Sequence, residues 1–309
     1  MPYFGHYMPS VLAAADIGSN TAHLLVARID GCGLTRLVNQ SDWLSLGEVV
    51  GREGGIPEPL VLRLVETLTR FKDVATASGA ERWYAFATEA VRRAANRDEV
   101  LSRVASSTGL QVDLVTPCEE SLLGLRGAMM DSNGEAPFTL IEAGGGSVQV
   151  ARCDGFEILE EVSMPLGTGA LTAKFELTSP PIDAALEDMK EAVHSAVRRL
   201  RSFGASQRVV GTGGVARGIW RALHPDGDRM IHAKELDFLG WDVARLGVDR
   251  IVKRYGVKLR RAATLLPGSI VYSEILATLG HEALQVSEFG VREGAVLHMS
   301  QGRIPGVVL

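Results

Sequence analysis

Apolar and polar positions follow two rhythms along this chain, and the rhythms predict its elements. From Val11 to Ala15 the sequence is an unbroken apolar run. Asp16-Ile17-Gly18-Ser19-Asn20-Thr21 follows, and then the strand-like segment His23-Leu24-Leu25-Val26-Ala27-Arg28. The pattern returns at Phe138-Thr139-Leu140-Ile141, with Glu142-Ala143-Gly144-Gly145-Gly146-Ser147 at the bend and the alternating Val148-Gln149-Val150-Ala151-Arg152 after it. Each reads as a hairpin with glycine at its tip. Pro57 to Ser78 has the helical period instead, with Leu60, Leu64, Val65, Leu68, Phe71 and Val74 forming an apolar stripe. Glu81 to Thr88 reads as a short strand, followed by a helix with Val91, Arg92 and Asn96. Val112 to Thr116 reads as another strand, ending at Pro117. Asp131 to Pro137 is a loop by composition. A long helix is expected from about Asp183 to Phe203, with Pro180 and Pro181 before it. Arg208 to Val215 reads as a strand, a glycine turn and a helix start. Alternating strands and helices predict an α/β fold.

The two hairpins match each other. Asp16 corresponds to Glu142, Gly18 to Gly144 and Thr21 to Ser147, and they end alike, at Ala27-Arg28-Ile29-Asp30-Gly31 and Ala151-Arg152-Cys153-Asp154-Gly155. Such matching is the signature of an internal duplication, with chance similarity of two short hairpins as the alternative. Glycines at strand tips let backbone N–H groups approach an oxyanion, and a carboxylate beside them can hold a metal that bridges phosphate oxygens. The plain alternative is a tight turn with no ligand.

Composition narrows the picture. The 309 residues suggest about two domains, and 46% hydrophobic with 22% charged residues describes an ordinary globular protein with a sizeable core. A net charge of −5 argues against a general nucleic-acid-binding surface. Cys32, Cys118 and Cys153 form no CxxC pair, which fits a reducing compartment and gives neither a disulfide framework nor a zinc site. The N-terminus lacks a basic n-region and no apolar run approaches membrane-spanning length, so the expectation is a cytoplasmic protein with no membrane partner. His23 reads as a packing residue. Arg245, Arg250, Lys253, Arg254, Lys258, Arg260 and Arg261 form a basic stretch. It is either a cation track for a long polyanion, favouring long chains over short ones, or a solvated helix face.

Two acidic-glycine hairpins and a third Gly-rich turn resemble the actin-like superfamily of sugar kinases, heat-shock chaperones and actin. More specific stretches occur in order: DIGSNT (16–21), AFATEAVRRAAN (85–96), PCEES (117–121), GGGS (144–147), GTGGVAR (211–217) and VREG (291–294). Together they are similar to the exopolyphosphatase/guanosine pentaphosphate phosphohydrolase family, Ppx/GppA, in its short two-lobe form. The resemblance implies two ribonuclease-H-like α/β lobes, residues 1–124 and 125–309, with an active-site cleft between them; the last helix is free to pack back on the first lobe. It implies Glu120, the second Glu of the PCEES stretch, as catalytic base. Ser19, Asn20, Gly145, Gly146, Ser147 and Gly213 would donate to phosphate oxygens, and Arg92 would clamp them, with Arg93 as a competitor. Asp16 and Glu142 would face Mg²⁺ or Mn²⁺.

On the residues alone, Glu119-Glu120 could equally be a solvated helix start, and Arg92 an ordinary helix-surface arginine. The chain departs from the family pattern at Glu142-Ala143, where Asp usually opens the hairpin. It departs also at Gln149, where an acid is expected, at Ala170, where arginine is frequent, and at Pro117-Cys118. The implied activity is metal-dependent release of terminal orthophosphate from inorganic polyphosphate. The alternatives are 5′-phosphohydrolysis of guanosine pentaphosphate, or a protein that binds polyphosphate or an alarmone such as guanosine tetraphosphate with little turnover. An actin-like kinase ranks below these. Nucleic acid is not an expected partner, and a homodimer is left open.

Overall fold

The structure, a computed structural model, describes residues 9–30, 33–132, 136–225, 227–304 and 307–308. Cys32, Gly31 and part of the expected 131–137 loop lie outside the described residues. The chain divides into two compact units, one formed by Met1–Gly127 with Phe289–Leu309 and the other by Ala128–Glu288.

The first unit opens with β1 (Ser10–Ile17), β2 (Thr21–Asp30) and β3 (Gly33–Trp43), then α1 (Leu46–Glu53) and α2 (Glu58–Ala77). β4 (Arg82–Ala87), α3 (Glu89–Arg93), α4 (Arg97–Thr108), β5 (Val112–Leu114) and α5 (Pro117–Ala128) follow. β1 lies between antiparallel β2 and parallel β4. A strand covered on both faces is apolar throughout, and Leu12 to Ala15 are all buried. β5 extends the sheet beyond β4 as a second parallel strand.

The second unit repeats this. β6 (Phe138–Ala143), β7 (Val148–Asp154) and β8 (Glu157–Met164) form an antiparallel meander, followed by α6 (Thr168–Lys174) and α7 (Asp183–Val197). β9 (Val209–Thr212), α8 (Gly213–Leu223), β10 (Met230–His232), α9 (Ala233–Val243), α10 (Val248–Tyr255), α11 (Leu259–Leu279) and β11 (Ala283–Val286) complete it. The order β3-β2-β1-β4-β5 of the first sheet recurs as β8-β7-β6-β9-β11 in the second, with the same parallel pairs. This is the ribonuclease-H-like, actin-like α/β lobe, present twice.

Three expectations need correction. The third strands β3 and β8 are not legible in the pattern, because the polar runs Asn39-Gln40-Ser41-Asp42 and Glu160-Glu161 break their apolar alternation. The helix expected to reach Phe203 ends at Val197 and tightens into a 3₁₀ turn over Arg198–Ser202. Among the described residues α11 is long and apolar enough to cross a membrane, contrary to the sequence expectation. It is instead a core helix, with Leu265, Val271, Tyr272, Ile275 and Leu276 buried in the second unit.

The chain then returns to the first unit through α12 (Val291–Ser300), which packs on β1 and β2, and β12 (Val307–Val308), which pairs with β4. A Cβ at Gly294 would collide with the Leu123 carbonyl and one at Gly127 with the Gly290 backbone. The crossing of α5 and α12 therefore rests on these glycines.

Candidate active site

In the first unit the DIGSNT bend is held from one side. Gly18 N–H donates to the Thr21 carbonyl at 3.1 Å. The Ser19 carbonyl accepts from Gly47 N–H at 2.8 Å, and the Asn20 carbonyl from Leu44 and Ser45 at 2.9 and 3.0 Å. Gly47 is required for this approach, since a Cβ there would stand 2.8 Å from the Ser19 Cβ. With the carbonyls turned inward, the N–H groups of Ser19 and Asn20 have no partner among the described residues. Successive N–H groups presented in this way form an anion-binding concavity.

Asp16 ends β1 beside this loop. Its Oδ1 is sealed from solvent without a hydrogen-bond partner. Burial lifts its pKa to about 6, with Arg292 opposing and Glu293 adding to the rise. Glu293 itself is satisfied by Arg36 Nε at 3.0 Å and Gly290 N–H at 3.0 Å. The Ser19 hydroxyl donates to Glu89 Oε2 at 3.1 Å, and Arg93 Nη1 donates to Glu89 Oε1 at 2.7 Å. Arg92 Nη1 donates to the Val115 carbonyl at 2.5 Å. Thus both arginines of the expected clamp hold protein atoms.

The two acids of PCEES differ. Thr116 precedes α5, and Glu119 Oε2 accepts from the Thr116 N–H at 2.7 Å and its hydroxyl at 2.9 Å. The Glu119 N–H donates back to Thr116 Oγ1 at 3.2 Å. That is a reciprocal capping box, with proline in the first helical position. Glu119 is thereby a structural cap. Glu120 lies half-buried in the same turn, its N–H bound to the Thr116 carbonyl.

The second loop has the same backbone scheme. Gly144 N–H donates to the Ser147 carbonyl at 3.0 Å. The carbonyls of Gly144, Gly145 and Gly146 accept from Thr168, Ala170 and Gly167 at 3.0, 2.9 and 3.3 Å. The N–H groups of Gly145 and Gly146 have no partner among the described residues. A side chain at Gly167 would overlap the Gly145 and Gly146 backbone. The side chains differ from those of the first loop. Ser147 Oγ accepts from Gln149 Nε2 at 2.8 Å. Glu142 Oε2 accepts the Thr212 hydroxyl, and its Oε1 fills the space a side chain at Gly213 would need. Gly213 also has φ +84°, so glycine is required twice over.

A Cβ on Gly214, in the first turn of α8, would stand 3.5 Å from the Arg261 guanidinium, and one on Gly218 would collide with the stem of the same arginine. Burial and the charges of Arg217 and Arg221 lower the Arg261 pKa. No side chain among the described residues pairs with its guanidinium. The basic stretch divides accordingly: Arg245 and Arg254 are committed to buried Asp242 at 3.2 and 2.7 Å, with Tyr255 donating to it at 2.7 Å.

No three His, Cys, Asp or Glu side chains gather as a metal cage among the described residues. Mg²⁺ does not need one, being held by one or two carboxylates with water and phosphate oxygens. The unpartnered Oδ1 of Asp16 fits that requirement; Glu142, whose Oε2 is occupied by Thr212, fits it less well. Sequence reasoning missed Gly47, Gly167 and Glu89. A signal existed for the glycines, because Leu46-Gly47 and Leu166-Gly167 each follow a third strand, as a further echo of the duplication.

The Ppx/GppA phosphatase family model matches residues 25–302. The chain belongs to this family. It is 28% identical to exopolyphosphatase 1 of Mycobacterium leprae over 96% of this chain and 92% of that protein. It is 30% identical to exopolyphosphatase 1 of Mycobacterium tuberculosis H37Rv over 96% and 90%. Among solved structures, an exopolyphosphatase from Cytophaga hutchinsonii superposes with a TM-score of 0.86 at 20% identity, covering 96% of this chain and all of that one. The Aquifex aeolicus Ppx/GppA family member gives 0.83 at 24%, covering 96% and 99%.

Proposed function

We propose that the protein is an exopolyphosphatase, releasing terminal orthophosphate from inorganic polyphosphate in a cytoplasmic setting with Mg²⁺ or Mn²⁺. The observation that carries this is the pair of loops in which the carbonyls of Ser19, Asn20, Gly144, Gly145 and Gly146 are held by backbone N–H groups, while the N–H groups of Ser19, Asn20, Gly145 and Gly146 have no partner among the described residues. Donors fixed in advance stabilise charge that builds on phosphoryl oxygens without reorganising during reaction. Phosphoanhydride hydrolysis asks for little else besides a positioned water and a base.

In this reading Glu120 takes a proton from a water whose oxygen attacks the terminal phosphorus. The P–O bond to the neighbouring phosphate breaks, and the shortened chain leaves with that oxygen and its electron pair. Glu119 cannot share the role, being bound to Thr116. Arg261, a half-buried cation without an acidic partner, adds positive charge at the start of α8. A divalent cation at Asp16 would neutralise phosphate charge.

Polyphosphate is favoured over guanosine pentaphosphate by the relatives. The mycobacterial exopolyphosphatases match along nearly their whole length. The guanosine-5′-triphosphate,3′-diphosphate pyrophosphatase of Photobacterium profundum is 24% identical, and this chain covers 59% of it. The test is phosphate release from long-chain polyphosphate, triphosphate and guanosine pentaphosphate, each with Mg²⁺ and with Mn²⁺. Fastest release from long-chain polyphosphate is expected. Preferential release from guanosine pentaphosphate, or binding with no release, would replace this reading.

A further inference from the structure

We propose that Glu89 is a specificity-determining residue that makes the first loop accept phosphate carrying a divalent cation and turn away bare phosphate. The inference rests on the phosphate-site reading of that loop.

The juxtaposition comes from the sheet. β1 and β4 are parallel with Ile17 opposite Ala87, and Thr88 N–H donates to the Ile17 carbonyl at 3.1 Å. The DIGSNT loop and Glu89 therefore leave the same sheet end side by side. Glu89 is 8% exposed and uses both oxygens, one on the Ser19 hydroxyl and one on Arg93.

Two consequences follow. A serine hydroxyl has one proton, and Ser19 gives it to Glu89, so it can offer a ligand only lone pairs. Lone pairs suit a cation or its bound water, not an unprotonated phosphate oxygen. Second, Arg93, though 57% exposed, already has its charge matched by Glu89. A bare phosphate chain would thus meet the Glu89 carboxylate here, with Arg93 spent on it and Arg92 held by the Val115 carbonyl. A chain arriving with Mg²⁺ finds the Glu89 charge, the Ser19 lone pairs and the unpartnered Asp16 oxygen all favourable. An acid that only staples α3 would not distinguish the two ligands.

The experiment measures binding of inorganic triphosphate by calorimetry, in EDTA and in Mg²⁺, without reading turnover. Glu89→Gln keeps the size and can still accept the Ser19 hydroxyl, but removes the charge and releases Arg93. Metal-free triphosphate should then bind about tenfold tighter, the size of a charge-assisted hydrogen bond gained, and the advantage of Mg²⁺ should shrink by the same factor. Arg93→Ala, at an exposed position, leaves Glu89 uncompensated and should move the ratio the other way. An unchanged ratio in both variants, in a protein that binds triphosphate, overturns the role of Glu89 alone. A wild type that binds triphosphate under neither condition overturns the phosphate-site reading, and this one with it.

Discussion

The two hairpin loops share a backbone and differ in what their side chains leave open. Each closes with the same turn, Gly18 to Thr21 and Gly144 to Ser147, and each is pinned by the segment after a third strand, through Gly47 or Gly167. In the first loop one carboxylate oxygen of Asp16, Oδ1, is sealed and unpartnered, and the serine is engaged by Glu89. In the second, Glu142 is tied to Thr212 and backed against Gly213, while the neighbouring cation, Arg261, has no acid. The two copies keep the same backbone hydrogen-bonding scheme and differ in the side chains around it. Among the described residues, an unpartnered carboxylate oxygen lies beside the first loop, and an arginine with no acid on its guanidinium stands beside the second.

The largest expected effect concerns the acid chemistry assigned to the first unit. Glu120→Gln preserves size and hydrogen-bonding reach but removes the base, and positioned base catalysis contributes about 10²–10⁴-fold. Turnover of polyphosphate should fall by that order with affinity near wild type. Glu119→Gln alters a cap and should cost about 1 kcal/mol of stability at most, with turnover nearly intact. Equal turnover in Glu120→Gln and wild type would remove the base from the first unit and break the contrast.

How far the contrast could be read from sequence follows from the distance over which each feature is determined. The hairpins and their paired acids are local: a central strand must be apolar throughout, and a strand tip needs glycine. The capping role of Glu119 was local too, written as Thr116-Pro117-Cys118-Glu119. What escaped depends on residues about 70 positions apart. The Ser19–Glu89 and Glu142–Thr212 pairs exist only because β1 lies beside β4 and β6 beside β9. In the same way, charge counting could not separate Arg254 from Arg261. Asp242, which neutralises the first, is buried on another helix.

The next effect asks which loop holds the cation. In EDTA, Asp16 has its pKa raised from 3.8 to about 6 by burial. The folded state then holds that proton more tightly than the unfolded chain. The stabilising contribution is full below pH 4 and is lost as pH rises through about 6. A displacement of that size corresponds to about 3 kcal/mol. Chemical denaturation at pH 8 in EDTA should therefore find Asp16→Asn more stable than wild type by up to that amount, with no such gain at pH 4. Added Mg²⁺ should stabilise wild type and not the variant, since only a bound ligand shifts the folding equilibrium. Glu142→Gln should keep most of the Mg²⁺ response. The reverse pattern, with the response lost in Glu142→Gln and kept in Asp16→Asn, would place the cation on the second loop.

The smallest effect tests the positive half of the contrast. Arg261 and Arg254 stand seven residues apart in one basic stretch. Arg254 is spent on Asp242, whose charge is also met by Arg245 and by Tyr255. Arg261 sits against Gly214 and Gly218 with two arginines and no carboxylate acting on it. Arg261→Gln should raise KM roughly tenfold, as expected for one charge-assisted contact to phosphate, and the deficit should narrow with added salt. Because Gly214 adjoins Gly213 and Glu142, the loss should be similar for triphosphate and for long chains. Arg254→Gln should leave KM within about twofold and lower stability instead, by uncovering part of Asp242. If both variants raise KM alike, and only for long chains, the stretch acts as a track of surface charge. Arg261 would then have no special place beside the second loop.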